Sequence, residues 1–334
     1  MCGIVGLLIK KPALRDQLGA LMMPILLGMT ERGPESAGLA VFTTPVAAER
    51  RKFSIYSGHS AGHSAGHSAG HSAGHSAGNA AGNALAISAA GHAATDWSGF
   101  TAAAQRELGA GATGATVTAQ ANHAILETAA APARVRSWLA SAYPQHHLLS
   151  VGHSIDLYKD TGTPEQVATR YGFAKLQGSH LVGHTRMATE TAVTPERAHP
   201  FTAGEDFCLV HNGSLSNPYS IRRKLEPLGI AFETDNDTEA ACRFLEWRMR
   251  EGDDLTTALE KGFDELDGFY TFLMGTREEL ALVRDAFACK PAIVAETDDY
   301  VAISSEFRSL SKLPGVKHAN IFEPKPEQIY SWKA

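Results

Sequence analysis

The chain opens Met1-Cys2-Gly3-Ile4-Val5-Gly6, a cysteine directly behind the initiator methionine and then a short apolar strand. Removal of Met1 would leave Cys2 with a thiol and a free α-amine on the same residue. An α-amine has a pKa near ~8 and can act as the base for its own side chain. The same stretch is also compatible with an incidental small residue before an ordinary edge strand. The rest of the chain decides between these two interpretations.

Length and composition restrict the class of protein. The chain has 334 residues, is 44% hydrophobic and carries a net charge of −6. It can form one large domain or two, with a substantial core. The sequence contains no basic run, which disfavours binding to nucleic acid or to a membrane surface. No apolar run reaches the ~18 residues of a transmembrane helix, and the N-terminus lacks a signal-peptide layout, so we expect a cytoplasmic protein.

The four cysteines are widely spaced and form no C-x-x-C pair. We therefore predict no zinc or iron–sulfur ligation by this chain, and free thiols in a reducing compartment. The cysteines are Cys2, Cys208, Cys242 and Cys289.

The N-terminal part alternates between strands and a helix. Residues 2–9 are predicted to form a strand, and apolar side chains then recur at helical spacing from Leu14 to Met29. Gly33 suits a helix C-cap and Pro34 cannot continue a helix, so the helix is predicted to end there. Two further strands are predicted at Ser36–Phe42 and Arg51–Ser57.

A perfect tetrapeptide repeat, Gly-His-Ser-Ala five times over, occupies residues 58–77. Small residues cannot build a core, which favours a flexible linker over residues 58–90. The five histidines would share one face of a helix and could bind a metal, but a glycine at every fourth position opposes a helix. We favour the linker and predict that deletion of residues 58–77 leaves catalysis nearly intact.

Residues 91–175 are predicted to form a small α/β insertion. Helices are expected at Phe100–Leu108, Pro132–Tyr143 and Pro164–Tyr171. Single strands are expected at Ala115–Thr128 and His147–Tyr158.

The second half places polar clusters at the ends of apolar strands. The first cluster is Gly183-His184-Thr185-Arg186-Met187-Ala188-Thr189, the second is His211-Asn212-Gly213, and the third is Asn236-Asp237-Thr238-Glu239 before a long helix. Taken singly, Arg186 could be a surface charge, Asn212-Gly213 a turn and Asp237 a helix cap. Strand ends are nonetheless where rigid elements position functional loops. With the strands predicted after Gly268, including Ile321–Ile329, the simplest layered arrangement is an αββα sandwich.

Together these motifs resemble the class II glutamine amidotransferases, which are N-terminal-nucleophile hydrolases. The motif Arg32-Gly33-Pro34-Glu35-Ser36-Ala37-Gly38 adds to the resemblance, and the order of the motifs also matches. The implied fold class is α+β, a four-layer αββα sandwich with an inserted small α/β segment. The resemblance places the glutaminase domain at residues 2–57 and 176–334, with the repeat and the insertion outside it.

The resemblance implies a role for each matching residue. Cys2 is the nucleophile, and its α-amine is the general base. The Asn212 side chain and the Gly213 backbone N–H form the oxyanion hole. Substrate binding is implied for Arg186 at the α-carboxylate of glutamine, Asp237 at its α-ammonium, Arg32 at the loop around the nucleophile, and Met187 and Thr189 in the pocket.

As a stand-alone chain, the protein is similar to the amidotransferase subunits of glutamate-synthase-like systems, among them N-methylglutamate synthase. The implied activity is hydrolysis of L-glutamine to L-glutamate and ammonia for synthase subunits, within a hetero-oligomer. No cofactor is expected in this chain, while flavin and iron–sulfur centres are possible on the partners. The sequence leaves two alternatives open, a catalytically silent amino-acid-binding or scaffolding subunit and a hydrolase acting on another amide. It does not name the ammonia acceptor. Three residues depart from the usual motifs and concern pocket details: Glu35, Met187 and Glu190.

Overall fold

The computed structural model describes residues 2–58, 95–109, 114–187 and 194–334. Over these ranges the strands are β1 Gly3–Ile9, β2 Ser36–Phe42, β3 Arg51–Ser57, β4 Thr116–Gln120, β5 His123–Thr128, β6 His146–Gly152, β7 Ile155–Thr161, β8 His180–Arg186, β9 Phe201–Thr202, β10 Phe207–Leu215, β11 Gly268–Thr276, β12 Glu279–Arg284, β13 Ile293–Glu296, β14 Tyr300–Ser304, β15 Asn320–Phe322 and β16 Tyr330–Lys333. The α-helices are α1 Leu18–Leu27, α2 Ser98–Leu108, α3 Pro132–Ala142, α4 Pro164–Arg170, α5 Pro218–Leu225, α6 Asp237–Arg250, α7 Leu255–Glu265 and α8 Phe307–Leu310.

The N-terminal strand β1 lies in the middle of a seven-stranded antiparallel sheet with the order β15-β13-β14-β1-β8-β2-β7. All seven of its residues are buried. The strand is covered on both faces, and its uninterrupted run of small and branched apolar residues suits this position. It pairs with β14 on one side and β8 on the other, with Gly3 opposite Thr185 and Ile4 opposite His184. The N-terminus is therefore held by one of the most buried strands of this sheet.

A second antiparallel sheet of five strands, in the order β16-β12-β11-β10-β9, packs against the first. Side-chain alternation along the strands decides what fills the space between the sheets. Ile4 and Leu8 of β1 lie in the same buried cluster as Val210 of β10 and Leu273 of β11. This cluster is the inner core of the sandwich.

The opposite face of each sheet is covered by helices. Val5 and Leu7 of β1 pack in one cluster with residues of α1 and α4. Leu209 of β10 and Phe272 of β11 pack in another cluster with residues of α5, α6 and α7. The four layers are thus helix, sheet, sheet and helix, which confirms the predicted α+β fold with an αββα sandwich.

A third sheet, of four strands in the order β4-β5-β3-β6, forms the inserted unit with α2 and α3. Strand pairing differs from the boundaries drawn on the sequence at two places. β3, assigned to the glutaminase domain, lies between β5 and β6 of this third sheet. β7, assigned to the insertion, pairs with β2 in the seven-stranded sheet. Adjacent strands in sequence exchange sheets here, which periodicity along a single strand does not reveal.

Both segments that the sequence predicts as long single strands are pairs of strands. Residues 115–128 form β4 and β5, joined at Ala121, whose φ is 52°. Residues 147–158 divide into β6 and β7. At the turn between β6 and β7, the buried carboxylate of Asp206 accepts the backbone N–H groups of His153, Ser154 and Ile155, and a Cβ atom at Gly152 would lie 2.1 Å from Asp206 Oδ1. The backbone N–H groups of this turn are thus satisfied by a residue that is distant in sequence rather than by residues of the turn itself.

Two further predicted elements are wrong in detail. The segment Leu14–Met29 is not one helix, since a 3₁₀ turn at Pro12–Gln17 precedes α1, which ends at Leu27. Gly33 is therefore not its C-cap. The predicted strand Ile321–Ile329 is mostly a loop, since β15 ends at Phe322 and β16 begins only at Tyr330, in a different sheet.

The Gly-His-Ser-Ala repeat, predicted to be a linker, lies outside the described residues apart from Gly58. Over the described ranges, no helix combines the length and apolar character needed to cross a membrane.

Candidate active site

Cys2 immediately precedes β1 at one end of the seven-stranded sheet. The alternation along β1 gives Cys2 the same side-chain parity as Ile4 and Leu8, which face the inner core. The register of Gly3 opposite Thr185 places Cys2 beside Arg186, the last residue of β8. The same alternation along β10 gives Asn212 the parity of Val210, on the facing sheet. Cys2 and Asn212 therefore stand on opposed faces at the rim of the inner layer.

Two arginines flank the nucleophile. Arg32 Nε donates to the Cys2 carbonyl at 2.9 Å, and its Nη1 lies 3.6 Å from a Glu306 carboxylate oxygen. Arg186 Nη1 donates to the Arg197 carbonyl at 2.9 Å. Arg32 thus holds the backbone carbonyl of Cys2, and its implied role at the loop around a nucleophile stays a prediction.

Gly33 allows this approach of the Arg32 loop to β8. A Cβ atom at Gly33 would lie 2.3 Å from the Thr185 carbonyl carbon and 2.4 Å from the Arg186 nitrogen. Such distances are far inside van der Waals contact, so this position requires glycine. The glycine of the Arg-Gly motif is therefore required because a side chain would clash with β8, and not because it caps a helix.

The Cys2 side chain lies in a largely buried environment. Burial raises the pKa of its thiol, while a hydrogen bond with the Met187 backbone and the charges of Arg186 and Arg32 oppose that rise. The net pKa remains above the ordinary value, so the group is a thiol rather than a thiolate at neutral pH. Attack by this sulfur consequently needs a base close to it.

Asn212 and Gly213 lie near the end of β10, where the chain departs from regular strand geometry. The Asn212 side chain is 4% exposed, and its Nδ2 has no hydrogen-bond partner among the described residues. A buried amide N–H without a partner costs free energy and needs an explanation, such as a ligand that accepts from it. Gly213 has φ 143°, and a Cβ atom there would lie 1.8 Å from the Phe269 carbonyl oxygen.

Asp237 is the first residue of α6, and its carboxylate points back to β10. Its Oδ2 accepts the Leu215 backbone N–H at 2.8 Å. The helix cap is Asn236, whose side chain accepts from Thr238 N at 2.9 Å. Asp237 is therefore not the cap, and its half-buried carboxylate is held at the side of the strand that carries Asn212 and Gly213.

The structure brings these predicted residues to one end of the sandwich. His184 of β8 links the two sheets there, because its Nε2 lies 3.1 Å from the His211 carbonyl oxygen, one residue before Asn212. Met187 follows Arg186 and is 37% exposed. The predicted pocket residue Thr189 lies outside the described residues.

The sequence interpretation missed a buried polar cluster behind this end, formed by His184, His199, His211 and Thr238. Burial lowers the pKa of His184 to about 3 and holds those of His199 and His211 below the ordinary value. The three imidazoles are thus neutral at pH 7. Over the described part of the chain, no group of three or more His, Cys, Asp or Glu side chains is arranged to hold a metal ion.

The fold and this arrangement define a class, the amidotransferases with an N-terminal-nucleophile sandwich. Residues 184–312, which contain Arg186, Asn212, Gly213 and Asp237, match a family model described as a glutamine amidotransferase domain. The amidotransferase acting on phosphoribosylpyrophosphate from B. subtilis superposes with a TM-score of 0.55 over 99% of this chain and 49% of its own, at 16% identity. That likeness supports the fold.

Sequence relatives make the assignment more specific. The glutamine amidotransferase-like protein GlxB of Rhizobium meliloti is 42% identical over 333 residues, 99% of this chain and 98% of GlxB. A putative glutamine amidotransferase of Methanothermobacter thermautotrophicus is 33% identical over 185 residues, 55% of this chain and 61% of that protein. The chain belongs to the class II glutamine amidotransferase family. Amidotransferase domains of this class need no cofactor.

Proposed function

We propose that this chain is a glutaminase subunit that hydrolyses L-glutamine to L-glutamate and ammonia, and that it passes the ammonia to a synthase partner. The observation that carries the proposal is the buried Asn212 Nδ2, which has no partner in the described residues and stands across the inner layer from Cys2. An amide donor preorganised in this way suits the oxygen that becomes negative when sulfur attacks a carbonyl.

The chemistry follows from the groups present once Met1 is removed. The α-amine of Cys2 takes the thiol proton while Sγ attacks the side-chain amide carbon of glutamine. Asn212 Nδ2 and the Gly213 N–H bind the resulting oxyanion, each lowering the barrier by about 3–4 kcal/mol. The amine returns the proton to the leaving nitrogen, ammonia departs and a thioester remains. Water, deprotonated by the same amine, then attacks the thioester carbon; the C–S bond breaks, glutamate leaves, and the amine returns the proton to Sγ of Cys2.

Substrate selection uses opposite charges. The planar guanidinium of Arg186 can donate two hydrogen bonds to the α-carboxylate, and Asp237 can accept from the α-ammonium. Both groups stand at the same end of the sandwich as Cys2, which supports a free amino acid as the substrate and disfavours an internal peptide residue.

A partner surface is supported by exposed apolar side chains around this end. Phe269 is the second residue of β11 and pairs with Ser214 of β10. Its ring packs on Phe287, which is 72% exposed. Phe307 follows Glu306, the ion-pair partner of Arg32. Such residues typically mark protein interfaces. We propose a synthase subunit of glutamate-synthase or N-methylglutamate-synthase type as the occupant, in a hetero-oligomer whose flavin or iron–sulfur centres lie on other chains.

The decisive experiment combines intact mass with a glutaminase assay. We expect the protein purified with its partners to lack Met1 and to release glutamate from glutamine, and Cys2→Ala to abolish the release. Cys289→Ala, which removes an exposed thiol, is the matched control and should retain full activity. A protein that retains Met1, or undiminished activity in Cys2→Ala, would contradict the enzymatic proposal and favour a silent binding or scaffolding subunit.

A further inference from the structure

Thr238 follows Asp237 in the first turn of α6 and is 1% exposed. Its hydroxyl has three polar neighbours from three separate parts of the chain. His199 Nε2 lies 2.8 Å from Oγ1, His211 Nδ1 3.0 Å and Asp237 Oδ1 3.4 Å. A hydroxyl has one proton to donate and two lone pairs that accept. The three contacts therefore use its whole hydrogen-bonding capacity.

The chemistry of the neighbours assigns the direction of each bond. An ionised carboxylate only accepts, so the single Thr238 proton is directed at Asp237. Both imidazoles must then donate, which makes His199 the Nε2–H tautomer and His211 the Nδ1–H tautomer. Because burial lowers the pKa of both rings, each carries one N–H at neutral pH and the tautomers are defined.

The remaining ring nitrogens agree with this assignment. His199 Nδ1 and His211 Nε2 are buried and make no hydrogen bond within the described ranges. Buried N–H groups without a partner are rarer than acceptors without one, so these atoms are better placed as bare acceptors. The Phe269 carbonyl faces His211 and opposes the lowering of its pKa, but the ring geometry makes no hydrogen bond to it.

We propose that Thr238 is a positioning residue for substrate selection. With Leu215 N–H on Oδ2 and Thr238 Oγ–H on Oδ1, both oxygens of Asp237 are held in place, and their remaining lone pairs can accept from the α-ammonium. This inference rests on the proposed function, since it assigns Asp237 to the ammonium of a free amino acid.

The same network connects the two charges that select the substrate. The carbonyl of Arg197 accepts from Arg186, and two residues later His199 donates to Thr238. One short segment of chain, residues 197–199, thus ties the group that binds the carboxylate to the group that binds the ammonium. The spacing between the two charges therefore depends on the backbone of this segment and on the buried side chains of His199 and Thr238.

The test compares L-glutamine with 4-carbamoylbutanoate, which is glutamine without the α-amine. Thr238→Val keeps the shape of the side chain and removes the hydroxyl. We expect it to lower the preference for glutamine, measured as the ratio of the two kcat/KM values, by about tenfold, through KM and with kcat little changed. Thr238→Ser, which restores the hydroxyl, should restore the preference.

Two controls separate this inference from the proposed function. Thr128→Val removes an equally buried hydroxyl in the inserted unit, where it bonds Leu108 O and Ala130 N, and should leave the preference unchanged. Asp237→Asn should abolish the preference. If it does not, the ammonium assignment fails. If Asp237→Asn abolishes the preference while Thr238→Val behaves like Thr128→Val, the positioning role is overturned.

A measurement on the unsubstituted protein covers the case in which Thr238→Val does not fold. Long-range ¹⁵N–¹H spectra of histidine-labelled protein report the tautomer of each imidazole, with assignment by single histidine substitutions. We expect His199 as the Nε2–H form and His211 as the Nδ1–H form. An Nε2–H form of His211 would turn the Thr238 proton toward that ring and away from Asp237, and would overturn the inference.

Discussion

Gly213 occupies a backbone conformation that residues with a side chain adopt only with strain. Two features oppose a side chain at this position. The φ angle is 143°, and a Cβ atom would lie 1.8 Å from the Phe269 carbonyl oxygen. We expect Gly213→Ala to lower the free energy of unfolding by more than the ~1–3 kcal/mol of backbone strain alone and to lower kcat by displacing a proposed oxyanion donor. Chemical denaturation and glutaminase kinetics measure the two effects.

Gly229 provides the matched control. It also has positive φ, 79°, but a Cβ atom there meets no other atom within 4 Å. Gly229→Ala should therefore cost about 1 kcal/mol of stability and leave kcat unchanged. Equal effects of the two substitutions on kcat would contradict the proposed role of Gly213.

The sequence motifs singled out Cys2, Arg186, Asn212 and Asp237, and the fold brings these four residues to one end of the sandwich. Each stands in a recognisable local context, a strand end or a helix start. The role inferred for Thr238 could not be predicted, because its three partners come from separate parts of the chain and meet only in the folded protein. The one local signal was a run of capping-type residues before α6.

At the scale of elements, β3 and β7 cross between the inserted sheet and the sandwich, and one buried ion pair joins them. Lys52 Nζ lies 2.6 Å from Asp156 Oδ1, with side chains 8% and 12% exposed. Removing one partner leaves the other charge buried and uncompensated. We expect Lys52→Met to lower the free energy of unfolding by about 3–5 kcal/mol, measured by urea denaturation.

The double variant Lys52→Met with Asp156→Leu removes both charges. It should be more stable than Lys52→Met, because the desolvation of the remaining carboxylate disappears with it. A double variant less stable than the single one would contradict this account of the junction. The exposed pair Lys11–Asp299 is a control, since Lys11→Met should cost at most about 1 kcal/mol.

The N-terminal edge of the repeat is fixed in the inserted unit. Ser57 N–H donates to Asn122 O and Gly58 N–H to Gln145 O. A deletion of residues 59–77 spares both bonds, so we expect glutamine hydrolysis within about twofold of the parent protein. Activity and size-exclusion profiles of the complex measure the outcome. Loss of assembly with hydrolysis retained would show that the repeat is an interface.

The elements themselves were largely predictable, since β2 and β3 follow the predicted bounds. Their partners were not, because alternation along a strand shows which face is buried but not which sheet buries it. The β6–β7 turn was missed for a related reason, since its N–H groups are satisfied by Asp206 from a distant part of the chain.

At the scale of the whole molecule, five buried histidines make stability depend on pH. Burial lowers the pKa of His123 to about 3, of His180 to about 4 and of His184 to about 3, and it also lowers those of His199 and His211. An unfolded histidine binds a proton below about pH 6.5, whereas these folded ones stay neutral. The unfolded state therefore gains protons first, and stability falls as pH decreases from about 6.5.

Below that pH, each such histidine lowers the free energy of unfolding by about 1.4 kcal/mol for every pH unit. Together, the five remove an amount close to the whole stability of a typical domain within about one to two pH units. We expect the protein to unfold in acid near pH ~5. Circular dichroism measures this transition. His180→Gln should shift the transition to lower pH, and His318→Gln, at an exposed position, should not. A transition that stays in place in His180→Gln would contradict this cause.

The central position of β1 also governs the order of events during synthesis. One of its neighbours, β14, lies near the opposite end of the chain, with Val5 opposite Ser304. Contacts of such long range form late. While the ribosome is still making the chain, β1 cannot acquire this partner. The removal of Met1 that the proposed mechanism requires is therefore expected to precede the completion of the sheet that holds Cys2.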